Sequence, residues 1–163
     1  MRCALLLSVA LLGCSEPAAP VPESAALPME TNAPPPIDLA EFRWDSRLLL
    51  VFADRDDSRL AEQNRRFAEC VPDLLERDLQ VIRVFPDGGA VQMPGANVSA
   101  FDGASAEVIR QRFDVAADDF LVVLVGLDGG AKDRYAEPVE LDDVFAAIDA
   151  MPMRQQELRR RDR

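Results

Sequence analysis

The sequence predicts an α/β fold in which parallel strands alternate with helices that cover both faces of the sheet. Two observations predict it. First, the chain contains three continuous apolar runs with the length of strands that are buried on both faces. Second, apolar residues recur at helical spacing in the segments between these runs and after the last one. The runs are RLLLVFA at 47–53, LQVIRVF at 79–85 and FLVVLVG at 120–126. The chain has 163 residues, which is room for one ordinary domain.

The elements that separate these strands follow from local spacing. A helix is expected over residues 58–76, with a break or kink at Pro72, because its apolar residues recur at helical intervals: Leu60, Phe67, Val71 and Leu74. Residues 86–103 contain turn residues and little apolar pattern, which predicts a loop. A short helix over 105–113 is expected to place three apolar residues on one face: Val108, Ile109 and Phe113.

The last third of the domain is predicted to be a hairpin followed by a helix. Asp128-Gly129-Gly130 is typical of a tight turn, and residues 131–135 form the returning strand. A final amphipathic helix is marked by Leu141, Val144, Phe145, Ile148 and Met151. The predicted order is therefore β-α-β-α-β-β-α, arranged as a three-layer sandwich.

The N-terminus has the features of an export signal. Met1-Arg2 supplies a positive charge, and the apolar run at 3–13 is far shorter than the roughly 20 residues of a membrane-spanning helix. The run ends in Leu11-Leu12-Gly13-Cys14, which resembles the lipobox of bacterial lipoproteins. That resemblance implies that residues 1–13 are a signal peptide, cleaved between Gly13 and Cys14, and that Cys14 carries acyl chains such as palmitate. An ordinary secretory signal with a chance cysteine is the alternative.

The rest of the chain divides by composition. Residues 14–37 are rich in Pro and Ala and are expected to be a linker between the anchor and the domain. The domain itself is predicted to span 38–153. Residues 154–163 form a basic tail, with five arginines against Glu157 and Asp162, and are expected to be a solvated helix end or a partner-binding arm.

Composition excludes several classes of function. The chain has no histidine, which removes the commonest general base and the commonest metal ligand. Its net charge of −11 opposes binding to nucleic acid or to an anionic membrane surface, because both require a basic surface on the protein. We therefore expect no nucleic-acid partner and no cofactor.

Five segments of the domain resemble a known family: FRWDSRLLLVFA at 42–53, RLAEQNRRF at 59–67, RDLQVIRV at 77–84, FLVVLVGLDGGAKDR at 120–134 and PVELDDVFAAIDAMPMRQQE at 138–157. They are similar to a domain-of-unknown-function family of bacterial exported proteins, with a thioredoxin-like, peroxiredoxin-like fold. The same domain type occurs in vertebrate extracellular proteins of the equarin and sushi-repeat group. The resemblance implies a thioredoxin-like fold and hardly any chemistry.

The resemblance to thioredoxins also shows which catalytic residues are missing. Thioredoxins carry CxxC after the first strand, at a helix N-terminus that lowers the thiol pKa, but here the loop reads ADRDDS at 53–58. The cis-proline of such enzymes would fall near residues 118–121, which contain no proline. After cleavage Cys70 would be the only free thiol, and its spacing from Phe67 and Val71 predicts a buried structural cysteine. A one-cysteine redox role is the alternative.

The densest acidic cluster occupies that same loop. Asp54, Asp56 and Asp57 precede a helix, where carboxylates stabilise the N-terminus as caps and by the helix dipole. Asp118 and Asp119 would approach them if the thioredoxin comparison holds. A calcium or magnesium site is the alternative, although no complete metal-binding spacing is present.

These observations favour an exported lipoprotein, anchored at the periplasmic face or in the cell envelope, with a non-catalytic thioredoxin-like domain. Its partners would be the membrane, through the lipid, and an envelope protein or glycan. A redox protein using Cys70 and a metal-binding domain are the alternatives.

Overall fold

The computed structural model describes residues 33–92 and 98–161, and within them a six-stranded sheet has the order β4-β3-β2-β1-β5-β6. The strands are β1 Arg47–Phe52, β2 Leu79–Phe85, β3 Gly88–Gln92, β4 Val98–Phe101, β5 Leu121–Val125 and β6 Ala131–Tyr135. The helices are α1 Ser58–Glu69, α2 Val71–Glu76, α3 Gly103–Phe113, α4 Leu141–Asp149 and α5 Pro152–Arg161, with a 3-10 helix at Leu39–Phe42. None of these helices is long and apolar enough to cross a membrane.

The three apolar runs form the three central strands, as predicted. β1 is buried along its whole length and pairs in parallel with β2, through the α1–α2 crossover. The expectation of parallel pairing is wrong for β5, which runs antiparallel to β1. The connection from β4 through α3 crosses the sheet but begins and ends at the same end of the strands, because Phe101 pairs with Gly89 and Leu121 pairs with Phe52. The chain therefore enters β5 beside the end of β1 and runs back along it.

The segment predicted to be a loop contains two strands instead. β3 pairs antiparallel with β2, and β4 pairs antiparallel with β3. These strands carry small and polar residues with little apolar pattern, so nothing local marks them. They form because the backbone N–H and C=O groups along the free edge of β2 need hydrogen-bond partners. The chain turns back at Gly88, which has a φ of 146° that favours glycine, and the backbone of β3 provides those partners.

Two helices differ from their predicted form. The first breaks at Cys70 rather than Pro72, because a proline ring would clash with the carbonyl four residues earlier; Pro72 instead lies in the first turn of α2. In α3 the buried side is formed by five residues: Ser105, Ala106, Ile109, Arg110 and Phe113. Val108 was expected there but is 65% exposed, since it lies about 100° around the helix from Ile109.

Helices cover both faces of the sheet, as predicted. One core joins one face to α1, α2 and α4, and includes Leu49, Phe67 and Val144. The second joins the opposite face to α3 and the 3-10 helix, and includes Phe52, Ile109 and Leu39. The strands and helices named above all lie between residues 33 and 161, so a chain that begins at Ala33 retains the sheet and both cores.

The C-terminal helix is part of the folded unit, which extends past the boundary expected at Met153. Arg154 is only 1% exposed and donates hydrogen bonds to Asp149 and to Glu76, at 3.1 and 2.7 Å. The Arg47 Nη2 atom lies 2.8 Å from a Glu157 carboxylate oxygen. Arg159, Arg160 and Arg161 at the end of the helix are exposed, as the sequence predicts for a basic helix end.

Candidate functional site

The predicted acidic cluster lies where β1 ends and β5 begins. Because Phe52 pairs with Leu121, the turn at 54–57 lies beside the turn at 116–119. The two turns hold the five aspartates singled out in the sequence: Asp54, Asp56, Asp57, Asp118 and Asp119. Arginines from α1, α3 and the loop lie among them, so the site is a cluster of mixed charge.

Asp57 caps α1, as predicted. Its Oδ1 accepts a hydrogen bond from the Arg59 backbone N–H at 2.8 Å, and its Oδ2 lies 2.7 Å from the Arg59 Nη2. The Arg59 guanidinium in turn lies 4.8 Å from the centre of the Phe120 ring. The hydrogen bond from the Arg59 side chain lowers the pKa of Asp57 below its ordinary value. Asp57 is therefore an ionised cap held in place by its neighbour.

Replacing Asp57 with alanine is expected to lower the free energy of unfolding by about 1 kcal/mol, the usual effect of losing an N-cap. The contribution of the ionised carboxylate should be complete above the ordinary Asp pKa and decline as the pH falls through the lowered one, because protonation removes the acceptor. Urea titrations at neutral and acidic pH measure both effects. Asp56→Ala is the matched control on an exposed neighbour, and an equal loss there would contradict the cap assignment.

The other aspartates have separate local roles or are exposed. Asp54 Oδ1 accepts the Arg55 N–H at 2.6 Å, and Asp119 Oδ2 accepts the Ala116 N–H at 3.3 Å. Asp56 and Asp118 are exposed. Within residues 33–92 and 98–161, no group of three or more His, Cys, Asp or Glu side chains is arranged to hold a metal ion. The geometry supports turn and helix capping at Asp54, Asp57 and Asp119.

Arg110 is the residue of this region that sequence reasoning missed. It is 2% exposed, and its guanidinium donates to the carbonyl oxygens of Ala116 at 2.6 Å and Val84 at 3.1 Å. Burial lowers its pKa from the ordinary arginine value. These bonds join α3 to the end of β2 and to the turn before β5. The sequence did contain a feature that predicts the burial of Arg110. Position 110 is four residues after Ala106 and three before Phe113, so it lies on the buried side of α3.

Cys70 lies at the opposite end of α1 from the acidic turn. The prediction of a buried structural cysteine is correct only in part. Cys70 ends α1 and begins α2, and its free thiol is partly buried against the first core rather than enclosed in it. Burial raises the pKa of the Cys70 thiol, and the nearby carboxylates of Asp73, Asp142 and Glu69 raise it further. The helix α1 has 12 residues, so about 18 Å of helix separates this thiol from the turn that precedes α1.

The lipobox residues Gly13 and Cys14 lie outside the described residues, as does most of the predicted linker. Their assignment therefore stays a prediction from sequence. The Ala53–Ser58 loop lies at the end of β1 and the start of α1 and, as the sequence shows, contains no cysteine.

The model of a family described as "domain of unknown function (DUF4174)" matches residues 38–157. The chain is also 30% identical over 134 residues to coiled-coil domain-containing protein 80 of Danio rerio. That match covers 74% of this chain but only 15% of the relative, so the chain spans a small part of that protein's length.

Two solved structures resemble the fold. Reduced 2-Cys peroxiredoxin of Plasmodium vivax aligns with a TM-score of 0.55 and 14% identity, covering 74% of this chain and 72% of that one. Thioredoxin peroxidase I of Plasmodium yoelii aligns with a TM-score of 0.57 and 15% identity, covering 74% and 80%. At these identities the likeness concerns the fold alone, and it confirms the predicted thioredoxin-like architecture.

Proposed function

This chain belongs to the DUF4174 family, and we propose that it is an exported, membrane-anchored lipoprotein whose thioredoxin-like domain binds an envelope protein or glycan without catalysis. One observation carries the non-catalytic part. The turn that leads into α1 is occupied by the Asp54 and Asp57 capping bonds and by the Arg55–Asp87 ion pair, and it contains no cysteine. The helix N-terminus, which would activate a thiol, instead holds a carboxylate.

The position of Cys70 supports the same proposal. A thiol reacts as its thiolate, and both the burial of Cys70 and its acidic neighbours favour the protonated form. Cys70 is the C-cap of α1 and also the N-cap of the six-residue helix α2, and its side chain makes no capping hydrogen bond there. A redox role would require an exposed thiol beside a positive group.

A thiol-labelling experiment tests the non-catalytic assignment. In a chain that begins at Ala33, Cys70 is the only cysteine, and we expect it to react slowly with a thiol reagent near neutral pH and rapidly in denaturant. The matched control combines Cys70→Ala with Ser58→Cys, which moves the thiol to the N-terminus of α1, where the helix dipole should speed its reaction. Labelling of native Cys70 as fast as in the unfolded chain would favour the redox alternative.

The lipid anchor is proposed from Leu11-Leu12-Gly13-Cys14 at the end of the apolar run. Several acyl chains on Cys14 would hold the protein stably, because each buried methylene contributes about 0.8 kcal/mol. Metabolic labelling with a radioactive fatty acid in a bacterial host should mark the wild type and leave Cys14→Ala unlabelled. Cys3→Ala is the matched control and should keep the label. Equal labelling of the wild type and Cys14→Ala would disprove lipidation at this residue.

A further inference from the structure

Strands β3 and β4 are not covered by a helix on the face of the sheet that carries the first core. Among the described residues, that core contains none from either strand, whereas the second core, on the opposite face, includes Val91 and Phe101. Residues directly opposite each other in paired strands share a face of the sheet. The first-core face of β3 and β4 therefore carries the four residues in register with Val81 and Arg83 of β2: Ala90, Gln92, Val98 and Ala100.

These four residues form an open shelf. Ala90 and Gln92 are partly buried, but Ala100 is exposed and Val98 is 58% exposed, so exposure increases toward the edge of the sheet. Three of the four side chains are small and apolar, and none of the four is aromatic. The open shelf is thus a shallow apolar surface that is bordered on its inner side by Arg83.

The Arg83 guanidinium is held by two side-chain amides. Its Nε donates to Asn64 Oδ1 of α1, and its Nη1 donates to Gln92 Oε1 of the open shelf, both at 2.7 Å. A guanidinium only donates hydrogen bonds, so both amides must turn their oxygens toward it. Each amide nitrogen is bonded to the same carbon as that oxygen and therefore also lies close to the guanidinium. Within residues 33–92 and 98–161, neither amide nitrogen nor Arg83 Nη2 has a hydrogen-bond acceptor, and none of the three is enclosed.

No carboxylate balances the charge of Arg83 in the part of the chain that the structure describes. Arg59 and Arg66, on the neighbouring helix α1, each form an ion pair with a carboxylate. Arg83 instead contacts the two neutral amides and lies 5.8 Å from the centre of the Phe67 ring. Burial lowers the pKa of Arg83 from the ordinary arginine value, and no acidic neighbour opposes that shift. The site is a partly desolvated cation among unused donors, and the group that would complete it is an acceptor with negative charge.

We propose that Arg83, Asn64 and Gln92 bind one side-chain carboxylate of a partner protein, and that an apolar residue beside this carboxylate packs on the open shelf. This inference rests on the proposed binding role and names the chemistry of the partner segment. The two oxygens of a carboxylate accept hydrogen bonds from Arg83 Nη2 and from the amide nitrogens, and charge-assisted bonds of this kind are the strong ones.

The rest of the domain favours a single carboxylate over a polyanion. The contact with Arg83 is local, but the net charge of −11 repels an extended anionic chain or surface. A glycan is disfavoured because the open shelf presents methyl groups, against which sugar hydroxyl groups would lose water without gaining hydrogen-bond partners. The occupant is therefore a protein segment in which one Asp or Glu lies next to apolar side chains.

A matched pair of peptides tests this site in the chain that begins at Ala33. Acetyl-Val-Glu-Val-amide has a single charge, on its side chain, and acetyl-Val-Gln-Val-amide is its neutral counterpart. In NMR titrations we expect the acidic peptide to produce saturable shifts of the Arg83 Nε–H signal and of the side-chain NH₂ signals of Asn64 and Gln92. The neutral peptide should bind at least about tenfold more weakly, because it cannot form the charge-assisted hydrogen bonds.

Two variants test whether the uncompensated charge is responsible. Arg83→Gln should weaken binding of the acidic peptide at least about tenfold, and Arg160→Gln, at an exposed position on α5, should leave it unchanged. Asn64→Asp places a carboxylate beside Arg83, so it should raise the midpoint of thermal unfolding and also weaken binding at least about tenfold. Gln156→Glu adds the same charge at an exposed position on α5 and should change neither quantity. Because Asn64→Asp keeps Arg83, it tests the site even if Arg83→Gln does not fold.

The proposal is overturned if the acidic and neutral peptides bind equally, or if Asn64→Asp binds the acidic peptide as the wild type does. Equal shifts of the same signals by glucuronate, at the concentrations used for the acidic peptide, would assign the site to an acidic glycan and overturn the protein partner. The proposed non-catalytic role is tested separately: failed peptide binding leaves slow labelling of Cys70 standing, and fast labelling leaves the peptide result standing.

Discussion

Replacing Gly89 with alanine is expected to lower the free energy of unfolding by about 3 kcal/mol, because the added methyl group has no room in the packed core. A Cβ at this position would collide with the ring of Phe101 and with the backbone oxygen of Arg83. Phe101 is 3% exposed in the second core and pairs with Gly89 across β3 and β4, so its ring has little room to move. Urea denaturation followed by circular dichroism measures the change.

Gly130→Ala is the matched control for this substitution. The nearest atom to a Cβ at position 130 is Asp128 Oδ1 at 3.4 Å, which is an ordinary contact, so the free energy of unfolding should change by less than about 0.5 kcal/mol. Equal effects at the two glycines would contradict the close packing of β3 against the Phe101 ring.

Replacing Arg154 with alanine is expected to cost about 3 kcal/mol, since breaking a buried ion pair leaves its partners uncompensated. The side chain is 1% exposed and contacts Asp149 at 3.1 Å and Glu76 at 2.7 Å. Burial would lower the pKa of Arg154, but its hydrogen bonds to Asp149 and Glu76 outweigh that effect and hold it above the ordinary value. Both acids are partly exposed, which keeps the cost at the lower end for a buried pair.

The same network should show a dependence on pH. Burial raises the pKa of Asp149, but hydrogen bonds from Arg77 and Arg154 outweigh it and leave the pKa below its ordinary value. Its stabilising effect is thus complete above the ordinary Asp pKa and declines as the pH falls through the lowered one. Arg154→Ala should reduce this decline, whereas Arg160→Ala, at an exposed position on the same helix, should change the free energy of unfolding by less than about 0.5 kcal/mol. Equal losses for the two arginines would contradict the network.

The sequence by itself determined the features whose causes are local. Continuous burial requires apolar runs, so β1, β2 and β5 were visible in the residue pattern. The Asp128-Gly129-Gly130 turn and the Asp57 cap were also predictable, because a turn and a helix end depend on residues within four positions of each other.

Only the tertiary structure decided the features whose partners are distant in the chain. β3 and β4 exist because the edge of β2 accepts their backbone hydrogen bonds, and their own residues carry no strand pattern. The direction of β5 depends on where α3 returns the chain. The guanidinium groups of Arg110 and Arg154 can be buried because the Val84 carbonyl, 26 residues away, and the Glu76 carboxylate, 78 residues away, accept their hydrogen bonds. The sequence around each arginine does not identify these partners.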